Sequence, residues 1–525
     1  MFLLCTPLRA DKGPLIWVTS SLERVERSGP AGKTQAAQLS AARGEYESFQ
    51  IVVRAPADRE LTHVNVTISD LTNSSGQKIA KNQLELFREH YVHVTKSSPD
   101  WNGSNRPLGV GWYSDGLIPF VDPDTGRPPT GGKLRAAPFN LSAGTNQPIW
   151  VDVFVAPTAA PGQYTGSFIV TSDQGSATGE IALDVWNFTL PIAPTLKSAF
   201  VVTEAPPTAV ARTLLRNKVS PLGVPPAQAR ELINQFGLSA SNLGFWSGAD
   251  VSRCTMSPVP AGGEIALAIA KYPPDLKLFD FVADEVGKCT GLYPQIRQWA
   301  LAMHRAGVKN LVTMAPVPEL MDDGSGTGRS AVDMWVVLPE TYDKATNRIA
   351  QALAKGDEVW SYNTLVQDAY SPKWEIDFTP IDFRIQPGFI SQSLNLSGLL
   401  YWRADLWSSD PWNDVNNVGK FSSNNYPGEG TLVYPGKAVG IVGTAPSMRL
   451  KWIRDGVEDY EYVALLKKAG YGTWALEVAR SVGRDWHTWT RDPNAVESAR
   501  RRLGQKLDAL ATGADSRPPS AQPKR

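Results

Sequence analysis

LKLFDFVADE, residues 276–285, places a largely apolar run directly before two adjacent acids. Residues 276–283 predict a buried β-strand, which ends at Asp284 and Glu285. A helix is predicted to follow, because Pro294 suits a first helical turn and Gly307 suits the position after a last one. This stretch therefore predicts a strand–helix unit with carboxylates at the carboxyl end of its strand.

The same alternation of strand and helix extends in both directions, over residues 196–512. The sequence predicts seven or eight strands, among them 198–203, 276–283, 309–314, 332–337, 358–362 and 398–402. The predicted helices include 226–236, 342–354, 448–468, 473–481 and 493–511. Repeated alternation over a region of this length is typical of a (β/α)8-type barrel. We expect the long helix 448–468 to bury one stripe, formed by Leu450, Ile453, Val457 and Tyr460.

Residues 15–192 show a different pattern, in which short strands follow one another without helices. Residues 63–69 alternate apolar and polar side chains, and 148–155 form another strand. This spacing predicts an N-terminal antiparallel β-sandwich, interrupted by a long excursion over 97–133 that is rich in Gly, Pro and Asp. Residues 1–14 are expected to be a residual leader segment and 513–525 a disordered tail.

Composition narrows the class of protein. The 525 residues are 42% hydrophobic and 20% charged, with a formal net charge of +0. These values are typical of a globular protein and do not favour binding to nucleic acid. No apolar run is long enough to span a membrane. The 17 Trp residues either fill large cores or, in part, line a sugar site by stacking on C–H bonds.

The three cysteines bear on the compartment. Cys5 follows a short apolar start, as in the end of a signal peptide, and lipidation of Cys5 is a weaker alternative. Cys254 and Cys289 follow consecutive predicted strands, so they form either a disulfide near the barrel mouth or two buried thiols. We expect an exported protein.

The active site of such a barrel lies at the carboxyl ends of its strands. That rule selects a small set of candidates: Glu204, Trp246, Asp284, Glu285, Tyr362, Trp402 and Asp405. Glycoside cleavage needs an acid for the leaving oxygen, and an adjacent ionised Asp284 would help Glu285 to stay protonated. Neighbours in a strand point to opposite faces, so the strand must end or bulge here, which a turn at Gly287 would permit. Otherwise one acid caps the next helix or pairs with an arginine.

The chain resembles the catalytic-domain group of glycoside hydrolase family 123. The similar stretches are AARGEYESFQIVV (41–53), QPIWVDVFVAPTAAPGQYTGSFIV (147–170), FVADEV (281–286), VDMWVV (332–337), EVWSYN (358–363), GLLYWRADLW (398–407) and MRLKWIRDGVEDYEYVALL (448–466). The resemblance implies a β-sandwich followed by a (β/α)8 barrel. It also implies release of terminal β-linked N-acetylgalactosamine by a retaining mechanism in which the acetamido group of the substrate is the nucleophile. Asp284 would then orient that group, and Glu285 would be the acid and later the base.

Several aromatic residues have two interpretations each. Only one of Tyr401 and Trp402 can face the barrel, and Trp402 is either a sugar platform or a core residue. Tyr362 either binds the acetamido carbonyl or packs in the core, and Trp335 either binds substrate or fills the barrel. The five histidines show no metal-ligand spacing, and the sequence indicates no cofactor.

Three functional hypotheses remain open at this point. The first is an exo-acting β-N-acetylhexosaminidase that uses substrate assistance. The second is a glycosidase for a sugar without an acetamido group, with a separate carboxylate nucleophile, for which Glu204 and Asp405 are the candidates. The third is a carbohydrate-binding protein without turnover. In each case the expected partner is a glycan, and the sequence carries no indication of oligomeric state.

Overall fold

The computed structural model describes residues 13–416 and 424–514, which form two compact units. The first unit holds 13–92, 112–189 and 436–441, and the second holds the remaining described residues. The chain leaves the first unit between residues 189 and 190, close to the domain boundary predicted near 192. Residues 93–111, which overlap the start of the excursion predicted over 97–133, belong to the second unit. Cys5, most of the predicted leader and the predicted tail beyond 514 lie outside the described residues.

The first unit is a β-sandwich. Its strands are β1 Leu15–Ser20, β2 Ala36–Arg43, β3 Glu45–Arg54, β4 Leu61–Ile68, β5 Leu71–Asn73, β6 Lys78–Ile79, β7 Leu84–Val94, β8 Gly111–Pro119, β9 Phe139–Leu141, β10 Asn146–Val155, β11 Gly162–Ser172 and β12 Gly175–Thr189. One sheet has the order β1-β3-β10-β7-β8, and the other has the order β2-β12-β11-β4-β9 with β5 and β6 attached. Antiparallel pairs prevail, and β2 runs parallel to β12.

Alternation of side chains explains the core of the sandwich. Ile51 on β3 and Ile149 on β10 come from one sheet, and Phe168 on β11 and Ile181 on β12 come from the other. All four belong to one buried cluster, because alternate residues of each strand face the opposite sheet.

The second unit contains a parallel barrel. Its strands are β13 Lys197–Phe200, β14 Ala240–Asn242, β15 Lys277–Asp284, β16 Lys309–Thr313, β17 Met334–Val337, β18 Glu358–Asn363 and β19 Gly398–Tyr401. They lie in the order β13-β19-β18-β17-β16-β15-β14. Consecutive strands from β14 to β19 are paired, and β19 also pairs with β13, whereas β13 and β14 are not paired with each other. The bounds of β13 and of β15 to β19 lie within three residues of the predicted strands, whereas β14 had no predicted bounds.

An extended segment occupies the remaining position, between β13 and β14. Phe200 N donates to Ser220 O at 2.9 Å, Leu222 N donates to Phe200 O at 2.8 Å, and Asn242 N donates to Leu222 O at 2.8 Å. Pro221 lacks an N–H, so this segment forms a bridge to Phe200 and not a regular strand. The barrel is therefore nearly closed, with seven strands and this connection.

Helices surround the barrel. They are α1 Pro207–Arg216, α2 Pro226–Phe236, α3 Gly262–Ile269, α4 Tyr293–Arg305, α5 Pro339–Lys344, α6 Thr346–Lys355, α7 Pro380–Ile385, α8 Ser391–Ser393, α9 Met448–Lys468, α10 Gly472–Val482 and α11 Pro493–Ala511. A π-helical turn, Gln386–Ile390, joins α7 to α8, and a small hairpin pairs β20 Val433–Pro435 with β21 Thr444–Pro446. Within the described ranges, none of these helices has the length and apolarity required to traverse a bilayer.

Helix α9 begins and ends at the predicted residues but is buried more completely than one stripe. From Met448 to Val463 every residue is buried, charged ones included. Asp459 pairs with Arg384 of α7 at 2.7 Å, and Glu461 accepts a hydrogen bond from the Thr195 hydroxyl at 2.8 Å. The charged residues of α9 therefore fasten it to neighbouring segments, because a buried charge is tolerated when it is paired.

Candidate active site

One buried cluster, formed by side chains of the barrel strands, shows which residues face the interior of the barrel. Its members are Ala199, Phe279, Leu311, Met334, Val336, Trp360, Tyr362 and Leu400. The side chains beyond them, at the carboxyl ends of the strands, form the mouth at which barrel enzymes bind substrate.

A bulge in β15 turns Asp284 towards this interior. Phe281 lies opposite Leu311 of β16, but the register then shifts by one residue, so that Asp284 lies opposite Thr313. Without the extra residue Asp284 would share the outward face of Val282, because successive side chains alternate. The Thr313 hydroxyl donates a hydrogen bond to Asp284 Oδ1, which fixes the inward orientation.

Glu285 reaches the same interior by a different route. Its φ of 50° is left-handed, and the strand gives way there to a 3-10 turn, Val286–Lys288. Such a conformation costs about 1–3 kcal/mol in a residue other than glycine. The Glu285 N–H donates to Thr313 Oγ1 at 2.8 Å, and the Tyr362 hydroxyl donates to Glu285 Oε1 at 2.7 Å. Both acids therefore face the mouth of the barrel, where side chains of β16 and β18 hold them.

The turn predicted at Gly287 is present, as the 3-10 turn Val286–Lys288, but it does not depend on the conformational freedom of glycine. Gly287 does not have a positive φ, and a Cβ built on it would meet only the Met314 side chain, at an ordinary 3.7 Å. The bulge before Asp284 and the left-handed Glu285 produce the arrangement instead.

The surroundings of Asp284 and Tyr362 favour the neutral form of each side chain. Desolvation raises the pKa of Asp284, with a smaller rise from the charge of Glu285, and the bond from Thr313 opposes both. Asp284 is nevertheless exposed to solvent, so a substrate can reach it. Desolvation also raises the pKa of Tyr362, so its phenol stays protonated and remains a donor.

A disulfide joins the segments that follow β14 and β15. Cys254 and Cys289 are bonded, with 5.3 Å between their Cα atoms, and Cys289 is buried. Cys289 lies four residues after Glu285, so the bond restrains the turn that begins at that acid.

Trp402 follows the inward Leu400 by two residues and is half-buried at the end of β19. Tyr401 points outward and packs on Trp374, with ring centroids 5.1 Å apart. Of the two aromatic residues, Trp402 therefore has the position expected of a sugar platform. Its indole N–H donates to Glu429 Oε1.

Glu429 belongs to a buried carboxyl pair that the sequence did not suggest. Glu429 and Glu375 are both fully buried, and desolvation raises the pKa of each. Ionisation of both neighbours is costly, so burial favours a shared proton between them. Arg449 of α9 lies close enough to oppose the rise at Glu429.

Trp246 lies on the loop after β14 and is 50% exposed. Its ring meets Phe281 of β15 edge-on, with centroids 5.6 Å apart. Asp280, fully buried on β15, holds this loop by accepting the Phe245 N–H at 2.9 Å. An exposed indole is thus presented beside the strand that carries the two acids.

Trp335 does not belong to the site. It lies between the inward residues Met334 and Val336, so it points away from the barrel interior. It is fully buried, and its indole N–H donates to Asp357 Oδ2 at 3.1 Å. The prediction that Trp335 contacts substrate is wrong, because alternation along β17 places it in the layer outside the sheet.

Asp405 and Glu204 are occupied by other contacts. Asp405 is fully buried and accepts the backbone N–H groups of Thr203, Glu204 and Ala205 at 2.7–3.1 Å. Arg403 Nε lies 3.0 Å from Asp405, and Arg403 Nη2 lies 3.1 Å from Glu204 Oε1. Asp405 thus fixes the loop after β13, and Glu204 forms a partly exposed ion pair.

Two residues of the site were missed by sequence reasoning. Thr313 ends β16, so the rule that selected Asp284 could have selected it as well. Glu429 lies in a loop 27 residues beyond Trp402, and no pattern connects the two. Among the described residues, no group of three or more His, Cys, Asp or Glu could hold a metal ion.

Comparison with known proteins places the chain in a family. The model of the glycoside hydrolase 123 N-terminal domain matches residues 23–172, and that of the glycoside hydrolase 123 catalytic domain matches residues 305–466. Thr313, Tyr362, Trp402 and Glu429 lie within the second match, whereas Asp284 and Glu285 lie between the two matches. No curated protein matches the chain.

A solved structure of a family 123 enzyme shows the same fold. A family 123 glycoside hydrolase from Clostridium perfringens, studied for glycolipid glycan hydrolysis, has a TM-score of 0.65 and 13% identity, over 96% of this chain and 99% of that one. A β-glucuronidase from Parabacteroides merdae has a TM-score of 0.29 and 9% identity, over 80% of this chain and 50% of that one, too low to support an argument. From the two family models and the shared fold, the chain belongs to glycoside hydrolase family 123 and is a glycosidase.

Proposed function

We propose that this glycosidase is a retaining, exo-acting β-N-acetylhexosaminidase in which the acetamido group of the substrate is the nucleophile. The observation that carries the proposal is the convergence of Asp284 and Glu285 at the mouth of the barrel, each held by a hydroxyl group of another strand. Two adjacent carboxyls with different partners can take two different roles.

In the first step Glu285 gives its proton to the glycosidic oxygen as the bond from that oxygen to C1 breaks. The acetamido carbonyl oxygen forms the new bond to C1, which gives a cyclic oxazoline-type intermediate. Asp284 accepts the acetamido N–H and stabilises the positive charge that develops there. In the second step Glu285 takes a proton from water, and the water oxygen bonds to C1. The bond from C1 to the acetamido oxygen breaks, which opens the oxazoline ring, and the configuration at C1 is retained.

The neighbouring hydroxyl groups suit these roles. Thr313 occupies Asp284 Oδ1, which leaves Oδ2 to accept the acetamido N–H. Tyr362 is a permanent donor because its pKa is raised, and on substrate binding it can transfer its hydrogen bond from Glu285 to the acetamido carbonyl. Exclusion of bulk water by the bound substrate would strengthen both interactions.

The alternative with a separate carboxylate nucleophile has less support. It requires a free carboxylate about 5 Å from the acid. Asp405 is buried and already accepts three backbone N–H groups, and Glu204 pairs with Arg403. Neither candidate offers an unoccupied carboxylate without rearrangement of the loop after β13.

We also propose that the protein is exported. Disulfides persist in oxidising compartments and are rare in the cytosol, and the bond between Cys254 and Cys289 fits that pattern. Fractionation of the native host, with an antibody against the protein, tests this; recovery with the cytosolic fraction alone contradicts it.

The proposed activity is tested with a panel of aryl β-glycosides, in which N-acetylgalactosaminide is the first substrate and N-acetylglucosaminide the second. We expect hydrolysis of an N-acetylhexosaminide, release of the β-anomer as the first product, and inhibition by a thiazoline analogue of the cyclic intermediate. Glu285→Gln and Asp284→Asn should each lower kcat by about 10²–10⁴-fold.

Each result that would contradict the proposal has a different meaning. Hydrolysis only of glycosides without an acetamido group would support the second mechanism. Release of the α-anomer first would exclude retention. Binding of N-acetylhexosamines without turnover of any glycoside would reduce the role of the site to carbohydrate binding.

A further inference from the structure

Residues 93–111 belong to the barrel unit, where they are fastened to the loop that follows β18. Ser98 donates to Asp377 through both its N–H and its hydroxyl, at 2.8 and 2.7 Å. Asn105 donates to Asp382 Oδ1 at 2.5 Å and to Ser371 O at 2.9 Å, and these residues are buried. The segment is thus a fixed part of the rim on this side of the barrel.

The same segment also contacts the loop that follows β19. Thr95 N donates to Asn416 Oδ1 at 2.9 Å, and Asn416 Nδ2 donates to His93 O at 3.0 Å. The rim segment therefore connects the loops after the two strands that carry Tyr362 and Trp402.

Trp101 is the aromatic residue that this segment presents. Its side chain is 55% exposed, although its indole N–H donates to Val366 O at 3.0 Å. The hydrogen bond fixes the orientation of the ring and leaves ring surface open to solvent. A fixed, accessible indole is suited to stacking on the apolar face of a sugar.

The backbone around Trp101 is held in advance of any ligand. Asp100 accepts the Asn102 N–H at 2.8 Å and pairs with Arg106 at 2.5 Å. Gly103 lies so close to Ala369 that an added Cβ would be 2.0 Å from its carbonyl oxygen. Preorganisation of this kind lowers the entropic cost of binding.

Trp101 lies within reach of a glycan held by the two acids. Val366 is four residues after Tyr362, so their Cα atoms are at most about 14 Å apart. The Tyr362 hydroxyl itself contacts Glu285. An oligosaccharide that places its terminal sugar at Glu285 can therefore extend towards the exposed indole.

We propose that Trp101 is the stacking platform of a subsite for the leaving-group glycan, so that the enzyme acts on N-acetylhexosamine at the end of an oligosaccharide. The inference rests on the proposed function, and it adds a recognition site outside the acid pair. The occupant is a sugar ring of the chain that remains after cleavage, and not the terminal N-acetylhexosamine.

The test compares two substrates with the same terminal sugar: an aryl β-N-acetylhexosaminide and a β-N-acetylhexosaminyl tetrasaccharide. Trp101→Ala should lower kcat/KM for the tetrasaccharide by about ten-fold and change that for the aryl glycoside by less than about two-fold. Trp101→Phe, which keeps an aromatic face at the same position, should retain more than half of the activity towards the tetrasaccharide.

A second measurement does not depend on turnover. The trisaccharide that remains after cleavage should bind to Glu285→Gln in calorimetry, and binding should weaken about ten-fold when Trp101→Ala is added. Thermal unfolding shows whether each variant is folded.

Equal effects on both substrates, or no effect on either, would overturn the subsite. A loss confined to glycans that carry a lipid would assign the indole to an apolar aglycone and overturn the sugar platform. If the wild-type protein hydrolyses neither substrate and the trisaccharide does not bind, the proposed function and the subsite both fail. Trisaccharide binding without turnover would overturn the function alone.

Discussion

Asp284 lies directly opposite Thr313 in the ladder between β15 and β16, one residue later than an unbroken register would place it. The single hydroxyl of Thr313 then serves both acids, since it donates to Asp284 and accepts from the Glu285 N–H. The geometry of the acid pair is therefore set by the neighbouring strand as much as by its own.

Replacement of Thr313 by Val tests this dependence. The variant keeps the shape of the side chain but removes both hydrogen bonds, so we expect kcat to fall by about 10–100-fold. The bond from Thr313 lowers the pKa of Asp284, so its loss should raise that pKa further. Because the mechanism requires ionised Asp284, the acidic limb of the kcat profile should move to higher pH.

Thr313→Ser is the matched control, because it retains the hydroxyl, and its pH profile should resemble that of the wild type. An unchanged kcat and an unchanged acidic limb in Thr313→Val would show that Thr313 does not position the acids.

Replacement of Tyr362 by Phe removes the donor to Glu285 Oε1 and leaves the ring in place. We expect kcat for N-acetylhexosaminides to fall by about ten-fold or more, since a donor to the reacting groups is lost. The ring belongs to the barrel interior, so thermal unfolding should change little. Steady-state kinetics with an aryl N-acetylhexosaminide measure kcat of the variant. A folded variant with the kcat of the wild type would show that the Tyr362 hydroxyl has no role in the mechanism.

The sequence allowed the barrel and the position of the acid pair to be predicted, because strand ends can be located from local patterns. It did not reveal the bulge before Asp284, because a register shift is a property of two strands together. Pro221 concealed the segment that nearly closes the barrel, since it breaks the pattern of a strand. Trp335 was misassigned because every residue of its short strand is apolar, so the sequence does not show which residues face the barrel interior. Glu429 is far from Trp402 in sequence and contacts it only in the folded structure.

Loss of the disulfide should affect both stability and activity. The bond between Cys254 and Cys289 spans 35 residues. A loop of that size corresponds to a destabilisation of about 4 kcal/mol on the chain-entropy model. Since Cys289 lies close after Glu285, reduction should also loosen the left-handed turn and lower kcat.

Cys254→Ser, Cys289→Ser and the double variant should therefore all unfold at lower denaturant concentration and show reduced kcat in the absence of reductant. Dithiothreitol should have the same effect on the wild-type protein and no effect on the double variant. Full activity of the double variant would show that the turn is held without the disulfide.

The last prediction concerns Asp280, which holds the loop of Trp246. Desolvation raises the pKa of Asp280 from its ordinary value of 3.8 to about 7. Below pH 4 the group is neutral in the folded and the unfolded chain, so it contributes no pH dependence. Between pH 4 and 7 only the unfolded chain loses the proton, so the free energy of unfolding falls as pH rises. Above pH 7 the penalty stays constant, at up to about 4 kcal/mol.

Asp280→Asn keeps an oxygen that can accept the Phe245 N–H but removes the titration. Relative to the wild type, the variant should therefore gain stability between pH 4 and pH 8, by up to about 4 kcal/mol for the barrel transition. Urea unfolding at these two pH values measures the difference. Glu264→Gln on α3, where the carboxylate is exposed, should show no comparable change. A stability difference between Asp280→Asn and the wild type that is the same at both pH values would mean that Asp280 is ionised throughout, so that a charged group anchors the loop beside the acids.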